Sequence, residues 1–156
     1  MGVTVLPPDV NRSAWRCTGH DGTLRVGFQF VKGFSTAGAD ALVAAREQDG
    51  PFTSLDDLRA RTGLARDDLR LLVKVGACDA LVAAMNRPQM LWAIDAAAPF
   101  AARPMAASHH GGHRAPQAAR LPLPEGGAIP ALRDYPAERR RQDAWALLGF
   151  CTDAHP

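Results

Sequence analysis

The residues with the clearest chemistry to offer stand together at 32–36, Lys-Gly-Phe-Ser-Thr, ahead of a stretch in which Ala39, Leu42 and Val43 mark one apolar face of a helix. A tight turn before a helix leaves the first backbone N–H groups without partners. With the helix dipole behind them, those groups suit an anion, above all a phosphate oxygen. Gly33 permits the turn and the close approach of a ligand's backbone. Phe34 is an apolar plug that pins the turn to a core, and Lys32 sets a cation beside the phosphate. Ala39 is small enough for two helices to pack closely, and Ser35 or Thr36 caps the helix. Contacts of this kind position a duplex without reading its sequence.

The order Gly33, Phe34, Ser35, three residues, Ala39, two residues, Leu42-Val43 follows the spacing of a helix-hairpin-helix motif, with Ser35 where the motif has its second glycine. If that position needs a positive φ, Ser is strained there. Otherwise Ser35 caps the helix or offers its hydroxyl to phosphate. A weaker copy follows at Lys74-Val75-Gly76-Ala77, in which Lys74 and Gly76 echo Lys32 and Gly33. Two hairpins in tandem would grip both strands across a minor groove. The competing readings are an ordinary helical turn packed on its neighbour for the first copy, and a helix pair filling the core for the second.

Other clusters offer less. His109, His110 and His113 lie in a Gly-, Pro- and Ala-rich stretch, which suits a solvated tract better than a metal site held in fixed geometry. Cys17 with His20 and Cys151 with His155 have permissible zinc spacings but sit at opposite ends of the chain. Arg139-Arg140-Arg141, with Arg133 nearby, is the densest basic cluster, and on a helix it points around more than one face. Gln117 to Leu123 reads Gln-Ala-Ala-Arg-Leu-Pro-Leu, a proline-rich spacer before it is a short clamp-docking peptide, since Pro124 stands where such a peptide has an aromatic. No phosphate loop of the GxxxxGK type and no Ser–His–Asp order is present.

The elements that must position the turn can be read from period and punctuation. Helices are predicted from Ser35 or Thr36 to about Arg46, from Thr53 or Ser54 to Gly63, from Arg66 to Lys74, over 78–84, from Pro88 to about Ala97, and from Ala137 to Leu148 with Trp145 and Leu148 as its apolar contacts. Leu55 and Leu58 face inward on the second, and Leu69, Leu72 and Val73 on the third. Residues 1–30 read as a small antiparallel sheet, with strands at Val3–Leu6, Trp15–Cys17 and Leu24–Phe28 and a hairpin at Asp21-Gly22. Residues 98–130, with six prolines and two Gly-Gly steps, read as a linker.

The fold expected is mostly α: a tandem helix-hairpin-helix domain at 31–97, a small β element at 1–30, a Pro/Gly-rich linker at 98–130 and a C-terminal helix within 131–156. A net charge of +2 over 156 residues supplies no global pull on nucleic acid. Residues 31–97 hold eight Lys and Arg against nine Asp and Glu. Three scattered cysteines, no long apolar run and no leader-like N-terminus point to a reducing, cytoplasmic setting away from membranes.

The motifs carry a resemblance. Val5-Leu6-Pro7-Pro8-Asp9-Val10-Asn11-Arg12-Ser13 is similar to the segment closing the fingers of bacterial C-family DNA polymerases, the DNA polymerase III alpha subunits. Leu24-Arg25-Val26-Gly27-Phe28 and Val31-Lys32-Gly33 resemble that family's entry to its helix-hairpin-helix domain. Gly50-Pro51-Phe52-Thr53-Ser54-Leu55-Asp56-Asp57-Leu58 resembles its G-P-F-x-S-L-x-D-L step, and Leu72 to Leu81 its L-x-x-x-G-A-F-D-x-L hairpin, with Cys78 in place of the usual Phe. Asp134-Tyr135 and His155-Pro156 resemble the approach to its OB domain. Trp15-Arg16-Cys17 and Leu91-Trp92-Ala93 tilt the likeness toward the error-prone branch, which acts in damage-induced synthesis.

The resemblance implies a segment that holds primer–template duplex without catalysing synthesis. The residues expected at the DNA are Lys32, Gly33, Phe34, Ser35, Thr36, Lys74 and Gly76. It implies no cofactor in this segment, Mg²⁺ being expected in the palm region upstream. The implied partners are duplex DNA, the rest of a polymerase chain, and a sliding clamp or a mutagenesis accessory protein. The alternative expectation is a scaffold within the polymerase that never touches DNA.

Overall fold

The structure is a computed structural model that describes residues 2–97 and 128–152. The histidine trio, Gln117–Leu123, His155 and all but the end of the proline-rich stretch lie outside the described residues.

Three strands open the chain: β1 (Thr4–Leu6), β2 (Thr18–His20) and β3 (Thr23–Arg25), in the order β1-β3-β2. Asp21 and Gly22 both take positive φ, 45° and 74°, the backbone of the tight turn that joins antiparallel strands, and β2 pairs β3 in that sense. β1 pairs β3 in parallel, Thr4 opposite Thr23 and Leu6 opposite Arg25. The sheet is therefore mixed and not purely antiparallel. Residues 7–17 carry the chain from β1 past the place of β3 to β2, and the return run along β2 and its hairpin brings β3 alongside β1 in the same sense.

Trp15–Cys17 is not a strand. Its backbone turns away to serve the next element: the amides of Phe28 and Gln29 donate to the carbonyls of Ala14 and Trp15, both at 3.0 Å. The third strand is likewise shorter than expected, because Phe28–Phe30 forms a 3-10 turn. Gly27 sits between, where any Cβ would strike the Trp15–Arg16 main chain.

Five α-helices follow among the described residues: α1 (Thr36–Asp49), α2 (Leu55–Thr62), α3 (Arg66–Lys74), α4 (Arg87–Ala96) and α5 (Ala137–Leu148). α2 is capped by Ser54, whose side chain accepts from the Asp57 amide at 3.0 Å, and Asp56 and Asp57 stand at its positive end. α4 opens with a capping box, Asn86 to the Gln89 amide and Gln89 back to the Asn86 amide, with Pro88 in the first turn. α1 runs one turn past Arg46 and stops at Gly50, φ 81°.

The helix expected over 78–84 is absent. The bonds there run from Asp79 to Gly76, Leu81 to Cys78 and Met85 to Val82, all three residues back. They make a chain of tight turns without an i→i−4 ladder. Trp145 also departs from expectation, being 64% exposed. On α5 the 3.6-residue period puts Ala144, Leu147 and Leu148 inward and leaves Trp145 off that face.

Phe28, Leu42, Leu58, Leu72, Val73 and Met90 form the fully buried centre of the core, with Val10 and Val26 from the β region. Cys78 is also fully buried, and that burial pushes its thiol well above the ordinary range. Val43 is only half-buried, so Ala39, Leu42 and Ala45 carry the inner face of α1.

Side chains fasten the β region to the helices. Asn11 exchanges two hydrogen bonds with the Phe52 main chain, at 3.0 and 2.7 Å. Arg46 donates to the carbonyls of Val10 and Ser13. Buried Ser13 donates to the Val26 carbonyl at 2.8 Å. Buried or half-buried carbonyls are satisfied in this way outside any ladder.

Candidate nucleic-acid interface

The turn ahead of α1 is assembled from the 3-10 element outward. The Val31 amide donates to the Phe28 carbonyl and the Phe34 amide to the Val31 carbonyl, closing two successive turns. Gly33 takes φ 85°, where a side chain would be strained, although a Cβ would meet only Leu71 Cδ1 at 3.4 Å. Phe34 is 6% exposed and its ring packs on Phe28 at 5.6 Å between centroids. Phe34 also crowds Gly38, where a Cβ would lie 3.2 Å from Phe34 Cζ. Gly38 is thus part of the seat for the plug, a role that its place inside a helix hides in the sequence.

Ser35 lies at φ −86° and ψ 154°, ordinary extended backbone. It needs no positive φ, so a glycine is not required there. Its hydroxyl oxygen accepts from the Gly38 amide at 3.0 Å, and its carbonyl accepts from Ala39. Ser35 is the N-cap of α1. Among the described residues the amides of Ser35, Thr36 and Ala37 donate to no protein group, and all three residues are exposed. Lys32 is exposed beside them and forms no ion pair with a described residue. The result is an open helix N-terminus with a cation next to it, a geometry suited to a phosphate oxygen.

The second turn is built differently. Gly76 again takes φ 82°, but it is buried, and a Cβ there would collide with the Arg87 guanidinium. Arg87, 8% exposed, donates to Asp79 through Nε at 3.0 Å and Nη2 at 2.7 Å, and to the Lys74 carbonyl through Nη1 at 3.1 Å. The Gly76 and Ala77 amides are taken by Val73 and Leu72. The structure thus brings Lys32, Gly33, Phe34, Ser35 and Thr36 into one turn. It places Lys74 and Gly76 in another whose inner face is occupied. Nothing in the sequence beyond a charged pair, Asp79 and Arg87, signals that filling.

The basic cluster on α5 is largely engaged. Arg139 pairs with Asp143 and lies over the Tyr135 ring, while Arg140 pairs with Asp134 and donates to the Tyr135 carbonyl. Arg141 is exposed. Among the described residues no three His, Cys, Asp or Glu side chains come together as a metal site, and no helix is long and apolar enough to cross a membrane.

A capped helix behind a glycine turn, with a buried aromatic plug and open amides, has the turn and downstream half of a helix-hairpin-helix motif. A family model described as a helix-hairpin-helix motif matches residues 2–90. The chain belongs to that family, in the form carried by bacterial C-family DNA polymerases. It is 42% identical over 93 residues to an error-prone DNA polymerase of Dechloromonas aromatica, covering 59% of this chain and 9% of that protein. It is 33% identical over 165 residues to the error-prone DNA polymerase of Aromatoleum aromaticum, covering 99% of this chain and 14% of that protein. Against the DNA polymerase III subunit alpha of Neisseria meningitidis it is 35% identical over 115 residues, covering 71% and 10%. The chain therefore spans 9–14% of the length of these curated relatives.

Proposed function

We propose that this chain holds duplex primer–template DNA by its phosphates, without sequence preference and without catalysing synthesis, as a segment of an error-prone polymerase working on damaged templates. The observation that carries this reading is the row of open amides at Ser35, Thr36 and Ala37 with exposed Lys32 beside them. The relatives' names, error-prone DNA polymerase and DNA polymerase III subunit alpha, support the parent activity. On this reading Lys32, Gly33, Ser35 and Thr36 approach the phosphate and Phe34 holds the turn in place. The cytoplasm is the expected compartment, and the rest of a polymerase is the expected neighbour. A clamp or an accessory protein would have to be met through Gln117–Leu123 or another surface.

The scaffold reading has one observation in its favour: the second turn is filled by Arg87 and Asp79, so the module does not offer two equivalent grips. Titration of a short duplex at several salt concentrations separates the two. One hairpin making two to four phosphate contacts gives a log–log slope of about −2 to −4 and a Kd of roughly 10⁻⁴ to 10⁻⁶ M near physiological salt. No binding at low salt, or a slope near zero, would leave the scaffold reading standing. Template-dependent primer extension by the purified chain would overturn the non-catalytic part.

A further inference from the structure

The first hairpin is short of one helix. Only the 3-10 turn Phe28–Phe30 precedes Lys32, where the motif has a full helix on the upstream side. The last helix of the chain fills part of that role. The main-chain amide of Lys32 donates to the carbonyl of Leu147 at 2.8 Å. Leu147 belongs to the final turn of α5, whose carbonyls have no partner within the helix. Gly149, at φ 83°, ends α5 there and turns the chain so that Phe150 comes back beside the hairpin.

Phe30 and Phe150 meet edge to face, with centroids 5.7 Å apart and planes at 76°. Leu148 is 4% exposed and joins the core, and α5 packs on α3. Val31 is thereby clamped from both sides, by a ring contact at Phe30 and a main-chain bond at Lys32. Phe30 is 40% exposed, so its contact with Phe150 contributes little to the burial that holds the core together. What it fixes is the direction in which the chain enters Gly33.

We propose that α5 is a working part of the first hairpin and that Phe150 is a positioning residue for its phosphate contact. The Lys32–Leu147 bond and the Phe30–Phe150 pair set the backbone of Lys32 and Gly33. Lys32 and the open amides of Ser35 to Ala37 then present a fixed spacing to one phosphate. The proposal rests on the phosphate reading of that turn. It also joins the C-terminal part of the chain to the DNA contact, so that whatever moves α5 alters the grip on the duplex.

The test uses the whole chain, labelled with ¹⁵N, as wild type and as Phe150→Ala and Phe150→Leu. Two readouts are taken: hydrogen exchange and chemical shift at the Lys32 and Gly33 amides, and affinity for a short duplex of mixed sequence. Phe150→Ala is expected to speed exchange at Lys32 well beyond any change at Leu42 in the core. It should also weaken duplex binding about fivefold, the effect of loosening one contact in a coupled set. Phe150→Leu should restore part of both.

Unchanged protection at Lys32 with unchanged affinity overturns the proposal. So does faster exchange at Leu42 equal to that at Lys32, which would make Phe150 a general packing residue. If the wild-type chain binds no duplex, the phosphate reading fails and this proposal falls with it. That failure is distinct from wild-type binding that Phe150→Ala leaves untouched.

Discussion

The two glycine turns of this chain start from similar words, Lys32-Gly33 and Lys74-Val75-Gly76, and end as opposite kinds of surface. Both glycines take a φ above 80°. At Gly33 the turn leads into a capped helix whose first amides face outward, and the space over the glycine is bounded only by Leu71. At Gly76 the chain folds back through successive tight turns, and the Arg87 guanidinium sits over the glycine with Asp79 as its counter-ion. A guanidinium that satisfies a carboxylate and the Lys74 carbonyl has taken the place where a ligand would approach. Positive φ marks where the backbone must turn sharply; it does not mark where a ligand binds.

Breaking each turn in turn sharpens this contrast. The largest effect is expected at the plug: Phe34→Ala should cost about 3–5 kcal/mol in chemical denaturation, because a buried ring packed on Phe28 is lost. Next comes the pair of glycine substitutions. Gly33→Ala pays only for the left-handed backbone, on the order of 1–2 kcal/mol. Gly76→Ala pays that and must also displace Arg87, so its loss of stability should be clearly the larger of the two in parallel melts. Equal losses would mean that Arg87 does not hold the second turn.

Charge reversal separates the turns by function. Lys32→Glu is expected to weaken duplex binding about tenfold while altering stability by no more than about 0.5 kcal/mol, since Lys32 is exposed. Lys74→Glu should leave duplex affinity within about twofold of wild type if the filled turn stays away from DNA. A matching loss at Lys74 would restore the tandem grip expected from the sequence. Ser35→Ala removes the cap and should cost about 1 kcal/mol, whereas Ser35→Gly should cost only a few tenths, because glycine is itself tolerated at an N-cap.

The smallest effect is at Asp57. The Thr53 amide, followed by Arg61, holds its carboxyl below the ordinary carboxylate range. A folded-state value below the unfolded one contributes stability above the unfolded pKa and loses it as pH falls through the folded value. Asp57→Asn should therefore lower stability slightly at neutral pH, and its difference from wild type should shrink as pH falls below about 4, checked by denaturant melts across that range.

Period and punctuation were enough for much of the framework. The bounds of α3, the caps to within one residue (Ser35 or Thr36, Thr53 or Ser54), the stops at Gly63 and Gly149 and the hairpin at Asp21-Gly22 all rest on interactions within a few residues. Local chemistry decides such features, so a local reading finds them. The inward faces of Ala39, Leu42, Leu69, Leu72 and Val73 belong to the same class, because one-sided burial imposes a period on the sequence, while the plug at Phe34 followed from the order of residues around Gly33. What the sequence could not decide are the partners brought from far along the chain. β1 lies parallel to β3, with β2 antiparallel on β3's other edge. The segment 78–84 is not helical, and its Asp79 is held by Arg87. The Lys32 amide meets Leu147, and Trp145 faces solvent while Leu148 takes the core. The Asp79–Arg87 pair and the Lys32–Leu147 bond leave no periodic trace, since each joins single groups that only the tertiary fold brings together. For that reason the sequence offered Lys74–Gly76 only as a weaker copy of the first turn, and it took the packed chain to leave one turn open and fill the other.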